Sequence, residues 1–327
     1  MSSVIVRSVS IRDLVAGRRP AQVRVELGYP DAVASRTVVD FLAMFPAGRR
    51  HWREYVALAD GQVVAAVDVH PEPADYRWVL MALSAAMVDD ARWPVPYWSA
   101  LAQHAARIAG LSGAKRLHAA VPIDSPAYEA LWRAGFTPYA QQTVLMARGL
   151  PRDSRLPEAM VRGQEPSDAW SVHQLYHLAT PHGVQDAEAF TSNHWQTRIP
   201  GVRLRRVVME QNEGLVGYCQ VASGRGHHVV ELLIRPGTNE IIGPLLAAAL
   251  AERPVRDSDV VWAVVPDYHI EYLPALTQLG FVPAGRRALM VRFAGRPAYG
   301  KVMRWRVQGL QREARRRVGA MPSSVMR

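Results

Sequence analysis

The sequence is poor in cysteine and lysine and has no long apolar segment. Its 327 residues include a single cysteine, Cys219, which excludes an internal disulfide and a cysteine-rich metal site. No stretch approaches the roughly 20 apolar residues that a membrane-spanning helix needs. The first residues also lack an apolar core followed by a small-residue cleavage site, so we expect no signal peptide. These absences predict a cytoplasmic protein with no transmembrane segment and no bound metal.

Positive charge is concentrated at the C-terminal end. Residues 301–327 hold eight basic residues against Glu313 alone, which accounts for +7 of the net charge of +10. Apolar residues recur there at helical spacing, at positions 303, 307, 310, 314 and 318. The tail, residues 294–327, is therefore predicted to form a basic amphipathic helix. Such a helix docks its apolar stripe on the second domain, contacts RNA, or rests on an anionic membrane surface.

The chain contains the same block twice. Residues 117–148 and 261–293 both contain a Val-Pro pair, then a Gly-Phe-x-Pro segment and then a Leu-Met pair, at an offset of 144 or 145 residues. A period of that length corresponds to a whole domain and exceeds the 20–50 residues of a solenoid unit. We therefore predict two similar domains, residues 1–148 and 160–293, joined by a Pro- and Arg-rich linker, 149–159.

Each repeat has the pattern of an α/β (α+β) domain. β-rich runs flank Asp60-Gly61 in the first repeat and Asn212-Glu213-Gly214 in the second, and both patterns predict hairpins. Helical segments alternate with further strands, and two strands are expected after the last helix of each repeat. The predicted fold is two tandem mixed sheets with helices on both faces.

The order of these elements and the endings of the repeats resemble the GCN5-related N-acetyltransferase (GNAT) superfamily. Its characteristic ending appears as Ala127, Leu131 and Gly135-Phe136, and more loosely as Leu276 and Gly280-Phe281. The resemblance covers about residues 1–293. It implies an acyl-CoA-dependent N-acyltransferase that acts on a small-molecule or peptide amine. The donor, acetyl-CoA or another acyl-CoA, would lie in a gap between the fourth and fifth strands, with its pyrophosphate on backbone N–H groups at the next helix N-terminus.

The resemblance also implies the residues that hold the donor. In the second repeat the candidate cofactor-binding residues are Leu233, Ile234, Thr238, Asn239, Ile242 and Gly243. In the first repeat Arg92 stands in for the family arginine, but Val95 and Tyr97 occupy the places of glycines that let the backbone approach a phosphate. We therefore expect the first repeat to be degenerate and the second to be the more competent.

Candidate catalytic and acceptor residues lie in the second repeat. Glu231 is the candidate general base, because a carboxylate inside an apolar strand is costly unless it is exposed, paired or used. Leu131 and Leu276 occupy the place of the family's tyrosine acid, and Tyr128 and Tyr272, one turn earlier, are interpreted as packing residues. The segment that shapes the acceptor pocket in the family offers the candidate substrate contacts Thr180, His182, Gln185 and Glu188.

Two other function classes remain open at this point. The loss of the tyrosines and the eroded glycine loops favour a catalytically inactive GNAT-fold protein that binds a ligand or a partner. The basic tail favours an aminoacyl-tRNA-dependent transferase, which needs no CoA loop. Acyl-CoA affinity distinguishes the enzyme from the first alternative, and salt-sensitive co-purification of nucleic acid identifies the second.

Overall fold

Strands rich in β-branched residues form one large mixed sheet in the computed structural model. The structure describes residues 4–10, 22–27, 53–72, 76–86, 94–149, 161–196, 203–211, 214–224, 226–251, 256 and 258–294. Arg92, most of the linker and the predicted C-terminal helix lie outside the described residues. Among the described helices, none combines the length and the apolar character needed to cross a membrane.

The elements follow the predicted alternation of strands and helices. The strands are β1 (Ile5–Ser8), β2 (Gln22–Glu26), β3 (Arg53–Ala59), β4 (Gln62–Glu72), β5 (Arg77–Ala86), β6 (Arg116–Pro122), β7 (Thr137–Arg148), β8 (Val161–Gly163), β9 (Arg203–Gln211), β10 (Gly214–Gly224), β11 (His227–Ile234), β12 (Val260–Pro266) and β13 (Val282–Phe293). The α-helices are α1 (Val95–Leu111), α2 (Pro126–Arg133), α3 (Ala169–Ala179), α4 (His182–Glu188), α5 (Ile242–Ala251) and α6 (Leu273–Gln278). Short 3₁₀ segments span Pro166–Asp168, Ser192–Gln196, Asn239–Ile241 and Asp267–Tyr272.

Both predicted hairpins are present. Strands β3 and β4 are joined at Asp60-Gly61, where both residues have positive φ angles, 49° and 76°. A two-residue turn with positive φ at both positions matches the right-handed twist of the flanking strands, which explains the Asp-Gly sequence. Strands β9 and β10 form the equivalent hairpin of the second repeat.

The last strands of the two repeats are exchanged. The sheet order is β1-β3-β4-β5-β6-β13-β7-β12-β11-β10-β9-β8, with β2 attached to β5. The last strand of the second repeat, β13, thus lies between β6 and β7 of the first, and β7 pairs with β12 of the second. All described residues belong to one compact unit that ends at Gly295. The predicted boundaries between the domains stay a prediction, because the exchanged strands make the two repeats share one sheet.

The register at the exchange has internal symmetry. Val282 lies opposite Met146 at one end, and Val291 lies opposite Thr137 at the other. Each strand has one irregularity, between Pro283 and Gly285 in β13 and opposite Leu289–Met290 in β7, which leaves Tyr139 unpaired in the ladder. Equivalent residues of the two repeats thus face each other at the two ends of the strand pair. The pair formed by β7 and β13 therefore has approximate twofold symmetry.

The predicted pair of strands at the end of each repeat is wrong. Each ending is a single strand of 12 residues, β7 or β13. Each of these strands contains a bulge, which adds one residue and bends the strand without ending the pairing. In the sequence, such a bulge looks like a turn between two strands. The single long strand is what allows each ending to pair with both repeats at once.

Helices cover both faces of the sheet, as predicted. In the second repeat, Val230 and Ile234 of β11 pack in the core that contains α5 and α6. Leu233, which points to the opposite face, packs with residues of α3. In the first repeat, α1 and α2 form a core with β3, β4, β5 and β6, and Ala288 and Met290 of the exchanged strand belong to it.

Substituting Gly110 with alanine tests the packing of the exchanged strand. Gly110 lies in α1, and a Cβ atom there would be 2.5 Å from the carbonyl oxygen of Ala294, directly after β13. We expect Gly110→Ala to lower the free energy of unfolding by about 1–3 kcal/mol in urea titrations, as overpacking does. Gly285→Ala is the control, because no atom lies within 4 Å of its Cβ position. A stabilised Gly110→Ala variant, the usual result inside an exposed helix, would contradict this packing.

Candidate functional site

Two parallel strand pairs separate along their length, one in each repeat. In the first repeat β5 and β6 pair only from Arg77 opposite Arg116 to Val79 opposite His118. In the second repeat β11 and β12 pair only from His227 opposite Val260 to Val230 opposite Ala263. Beyond these positions the neighbouring strands part, and each repeat has a gap between its fourth and fifth core strands. We call them the first gap and the second gap.

The first gap is filled by the chain itself. Strand β2 runs antiparallel along β5, from Gln22 opposite Ala86 to Glu26 opposite Ala82. The Leu27 N–H donates to the Met81 carbonyl and the Leu27 carbonyl accepts from the Ala120 N–H, both at 2.8 Å, so this residue bridges β5 and β6. Leu27 is fully buried. The backbone groups that an extended ligand would use are therefore already paired with protein.

Sequence reasoning missed β2, although a signal was present. The segment Gln22–Glu26 alternates polar and valine residues, which is the pattern of a half-buried strand. The segment has only five residues, and the residues on either side are not typical of a strand. The sequence therefore did not indicate which strand it would pair with. Strand β2 lies between β5 and β6, where the resemblance would place a donor; the degeneracy of the first repeat stays a prediction.

A tyrosine hydroxyl lies at the second gap. The Tyr272 hydroxyl accepts a hydrogen bond from the Ile234 N–H at 3.1 Å and donates to the Ile234 carbonyl at 3.3 Å. Its ring is buried and stacks on His269 with centroids 4.6 Å apart. Burial raises the pKa of the Tyr272 hydroxyl, so it is a neutral proton donor at physiological pH. Tyr272 thus combines packing with a polar contact at the end of β11.

Local backbone geometry explains why the sequence analysis assigned Tyr272 only to packing. A continuous α-helix would place it on the same face as Leu276, which occupies the family's tyrosine position, but one turn away along the helix axis. The chain instead forms a 3₁₀ segment from Asp267 to Tyr272, with non-helical angles at His269 (φ −125°, ψ 31°), and α6 begins at Leu273. Tyr272 is the last residue of the 3₁₀ segment, and from there its hydroxyl contacts the backbone of Ile234 in β11.

Most of the predicted donor-binding residues lie at the N-terminus of α5, whereas Leu233 packs on the opposite face of the sheet with α3. Leu233 and Ile242 are buried core residues, so only their backbones are available to a ligand. Thr238 Oγ1 donates to the Arg235 carbonyl at 2.9 Å and holds the loop. Gly243 is the second residue of α5, and a Cβ there would meet only Leu279, at 3.9 Å. The Asn239 side-chain oxygen is buried without a hydrogen-bond partner.

Glu231 belongs to a hydrogen-bonded row across three strands. The Gln220 amide donates to Glu231 at 3.1 Å, and the oxygen of that amide accepts from Arg206 at 2.7 Å and from the Tyr218 hydroxyl at 3.3 Å. Alternation places Glu231 on the same face as Leu233, the face covered by α3. The carboxylate is half-buried there, in the position expected of a base on the acceptor side.

The four predicted acceptor contacts divide into two groups. The Gln185 amide donates to the backbone carbonyls of His177 and Thr180, at 2.9 and 2.5 Å, and closes the turn between α3 and α4. Thr180 and Gln185 are therefore structural in this conformation, and His182 is exposed. Glu188 is different, because its oxygens accept from the hydroxyls of Tyr176 at 2.7 Å and Tyr139 at 3.4 Å.

Comparison with known proteins identifies solved structures with a similar fold. No protein-family model matches the sequence, and no curated protein matches it. A tandem GNAT protein from the clavulanic acid biosynthesis pathway is similar in structure, with a TM-score of 0.51 and 16% identity over 90% of this chain and 100% of that chain. A GCN5-related N-acetyltransferase from Sphaerobacter thermophilus gives a TM-score of 0.55 and 16% identity, covering 90% and 97% of the two chains. A putative acetyltransferase from Pyrococcus horikoshii gives 0.51 and 11%, covering 90% of each.

These similarities concern the fold, since the identities are low, and they extend over both repeats of the chain. They agree with the element order, the Gly-Phe endings and the paired gaps. The protein has the tandem fold of the GCN5-related N-acetyltransferases.

Proposed function

We propose that the protein is an N-acyltransferase that transfers an acyl group, with acetyl-CoA as the simplest donor, to an amine at the second gap. The observation that carries the proposal is the contrast between the two gaps. Strand β2 fills the first, whereas at the second the backbone of β11 meets a tyrosine hydroxyl. The first repeat is then structural, and it completes the sheet that holds the second.

The residues around the second gap fit an acyl-CoA. The buried, unpartnered oxygen of Asn239 offers an acceptor for a ligand N–H group. Gly243, near the N-terminus of α5, leaves space for a close approach to the backbone. The N-terminus of α5 suits the negative charge of a pyrophosphate. Thr238 would act by holding the loop, because its hydroxyl and its N–H both donate to the Arg235 carbonyl. Pro236 lacks an N–H group, so this loop offers fewer donors than the family pattern.

Two side chains suit the proton transfers of the reaction. Glu231, directly or through a water molecule, accepts the proton that the amine loses as its nitrogen forms a bond to the acyl carbon. The carbon–sulfur bond breaks in the same reaction, and the departing thiolate needs a proton. We assign this proton to the Tyr272 hydroxyl. That hydroxyl contacts Ile234, which lies at the end of β11 where the second gap opens.

A thiol-release assay tests this proposal. Purified protein is incubated with acetyl-CoA and a panel of primary amines, and free CoA is measured with a thiol reagent. We expect amine-dependent release by the wild-type chain and loss of that release in Gly243→Trp, which fills the space at the start of α5. Release that is independent of the amine, or equal in Gly243→Trp, would contradict transfer at the second gap.

A further inference from the structure

Glu188 is a buried carboxylate without a cationic partner. It is 8% exposed, at the end of α4. The hydroxyls of Tyr176 and Tyr139 donate to it, but no ion pair to Glu188 within 4.0 Å occurs among the described residues. The nearby Arg77 forms its ion pair with Glu72 instead. Glu188 therefore differs from the buried acids Asp68 and Asp168, which form ion pairs with Arg24 and Arg162.

A buried carboxylate without an ion pair destabilises the folded protein, and a cation bound beside it would relieve that cost. Removing a carboxylate from water costs several kcal/mol unless it is paired and hydrogen-bonded. Burial raises the pKa of Glu188, and the hydrogen bond from Tyr176 and the charge of Arg77 oppose that rise only in part. A bound ammonium group would supply the missing charge and would be attracted to the faces of the surrounding rings.

Tyr176 and Tyr139 donate to the carboxylate, and a third tyrosine, Tyr268, lies near enough for burial and the charge of Glu188 together to raise its pKa. Tyr139 and Tyr268 keep partial solvent exposure, although burial strongly raises the pKa of both hydroxyls. Tyr268 packs against His269 with ring centroids 4.7 Å apart, and His269 stacks on Tyr272. A row of three rings thus runs from Tyr268 to the Tyr272 hydroxyl at Ile234.

A second unpartnered polar group lies beside the same tyrosine. His118 is 5% exposed, and neither of its ring nitrogens has a hydrogen-bond partner. Its ring meets Tyr139 edge-to-face with centroids 6.1 Å apart. Buried side-chain nitrogens are normally hydrogen-bonded, so this unpartnered imidazole is a candidate partner for a polar ligand group.

We propose that Glu188, Tyr176, Tyr139, Tyr268 and His118 form a junction pocket that binds the ammonium group of a small primary amine. The proposal rests on the function proposed above and identifies the acceptor as a cation. Tyr139 and His118 belong to the first repeat and the other three residues to the second. The exchanged strand β7 carries Tyr139 into the pocket, so strand exchange gives the first repeat a role in recognising the acceptor.

Binding of n-butylamine to the full chain, without acetyl-CoA, tests the pocket. The neutral probe n-butanol has nearly the same size, and both dissociation constants are measured by ligand-observed NMR. We expect wild type to prefer the amine by about tenfold, the effect of one charged hydrogen bond, and Glu188→Gln to lose that preference. Asp186→Asn is the matched control, because Asp186 is an exposed acid on the same helix, and it should keep the preference.

An equal preference in wild type and Glu188→Gln, or none in wild type, would overturn the pocket. Should Glu188→Gln lose its cooperative thermal transition, Tyr139→Phe provides the test, because it removes one donor to the carboxylate. A smaller loss of preference supports the pocket, and an unchanged preference overturns it. Acetyl-CoA titrations are run separately on each variant. Amine preference without acetyl-CoA binding contradicts only the proposed acyl transfer, and acetyl-CoA binding without amine preference contradicts only the pocket.

Discussion

A chain shortened to end at Gly280 is expected to lose the cooperative fold of both repeats. The truncation removes β13, which pairs with β6 along one edge and with β7 along the other. Ala288 and Met290 of β13 are buried in the core of the first repeat, more than 140 residues from its helix α1 in sequence. Removing one large core side chain costs about 2–5 kcal/mol, and whole domains are stable by only about 5–15 kcal/mol. The loss of a complete central strand therefore exceeds the available stability.

A chain ending at residue 295 is the matched control, since it keeps all of β13. Circular dichroism and thermal unfolding of the two chains provide the measurement. We expect a cooperative transition for the longer chain and none for the shorter. If the chain ending at Gly280 keeps a native transition for residues 1–148, the first repeat folds on its own and the exchanged pairing is wrong.

Replacing Tyr272 with phenylalanine is expected to lower amine acylation by about 10²–10⁴-fold, the usual contribution of a general acid. The ring of phenylalanine keeps the packing on His269, but the hydrogen bonds to the Ile234 N–H and carbonyl are lost. Leaving buried backbone groups unpaired should also lower the free energy of unfolding by about 1–3 kcal/mol. Activity is therefore compared below the unfolding transition of each variant.

Tyr128→Phe is the control from the first repeat. Tyr128 lies on α2, three residues before Leu131, in the repeat whose gap is filled by β2. We expect its rate of acylation to equal that of wild type. A Tyr272→Phe variant with unchanged rate, or a Tyr128→Phe variant with an equally large loss, would contradict the assignment of acid chemistry to the second repeat.

Most of the secondary structure follows from local patterns in the sequence. The Asp60-Gly61 turn, the alanine-rich helix α1 and the Gly-Phe endings each have one favourable backbone conformation. Strand exchange does not follow from such patterns, because β7 and β13 have the same apolar alternation whichever repeat they pair with. Whether β7 or β13 pairs within its own repeat or with the other depends on the length of the connecting segments and on packing. The residues of a single strand do not encode either.

The candidate site was predictable only in part, for the same reason. Alternation correctly placed Glu231 on the same face as Val229 and Leu233, whereas the donor loop around Asn239 and Gly243 stays a prediction from the resemblance. Pro274 is a local signal for the start of α6, but the contact between Tyr272 and Ile234 joins segments 38 residues apart and has no local signal. The partners of Glu188 come from both repeats, so no local segment of the sequence indicates that Tyr139 contacts it.

Isothermal titration of acetyl-CoA into the full chain tests the central claim most directly, because the claim is one donor site in the second of two equivalent gaps. We expect a stoichiometry of one acetyl-CoA per chain. Gly243→Trp should abolish binding, whereas Pro96→Trp, at the second residue of α1 in the first repeat, should leave it unchanged. Two sites per chain, or loss of binding in Pro96→Trp alone, would contradict the assignment to the second gap, and no binding at millimolar acetyl-CoA would contradict acyl transfer from CoA.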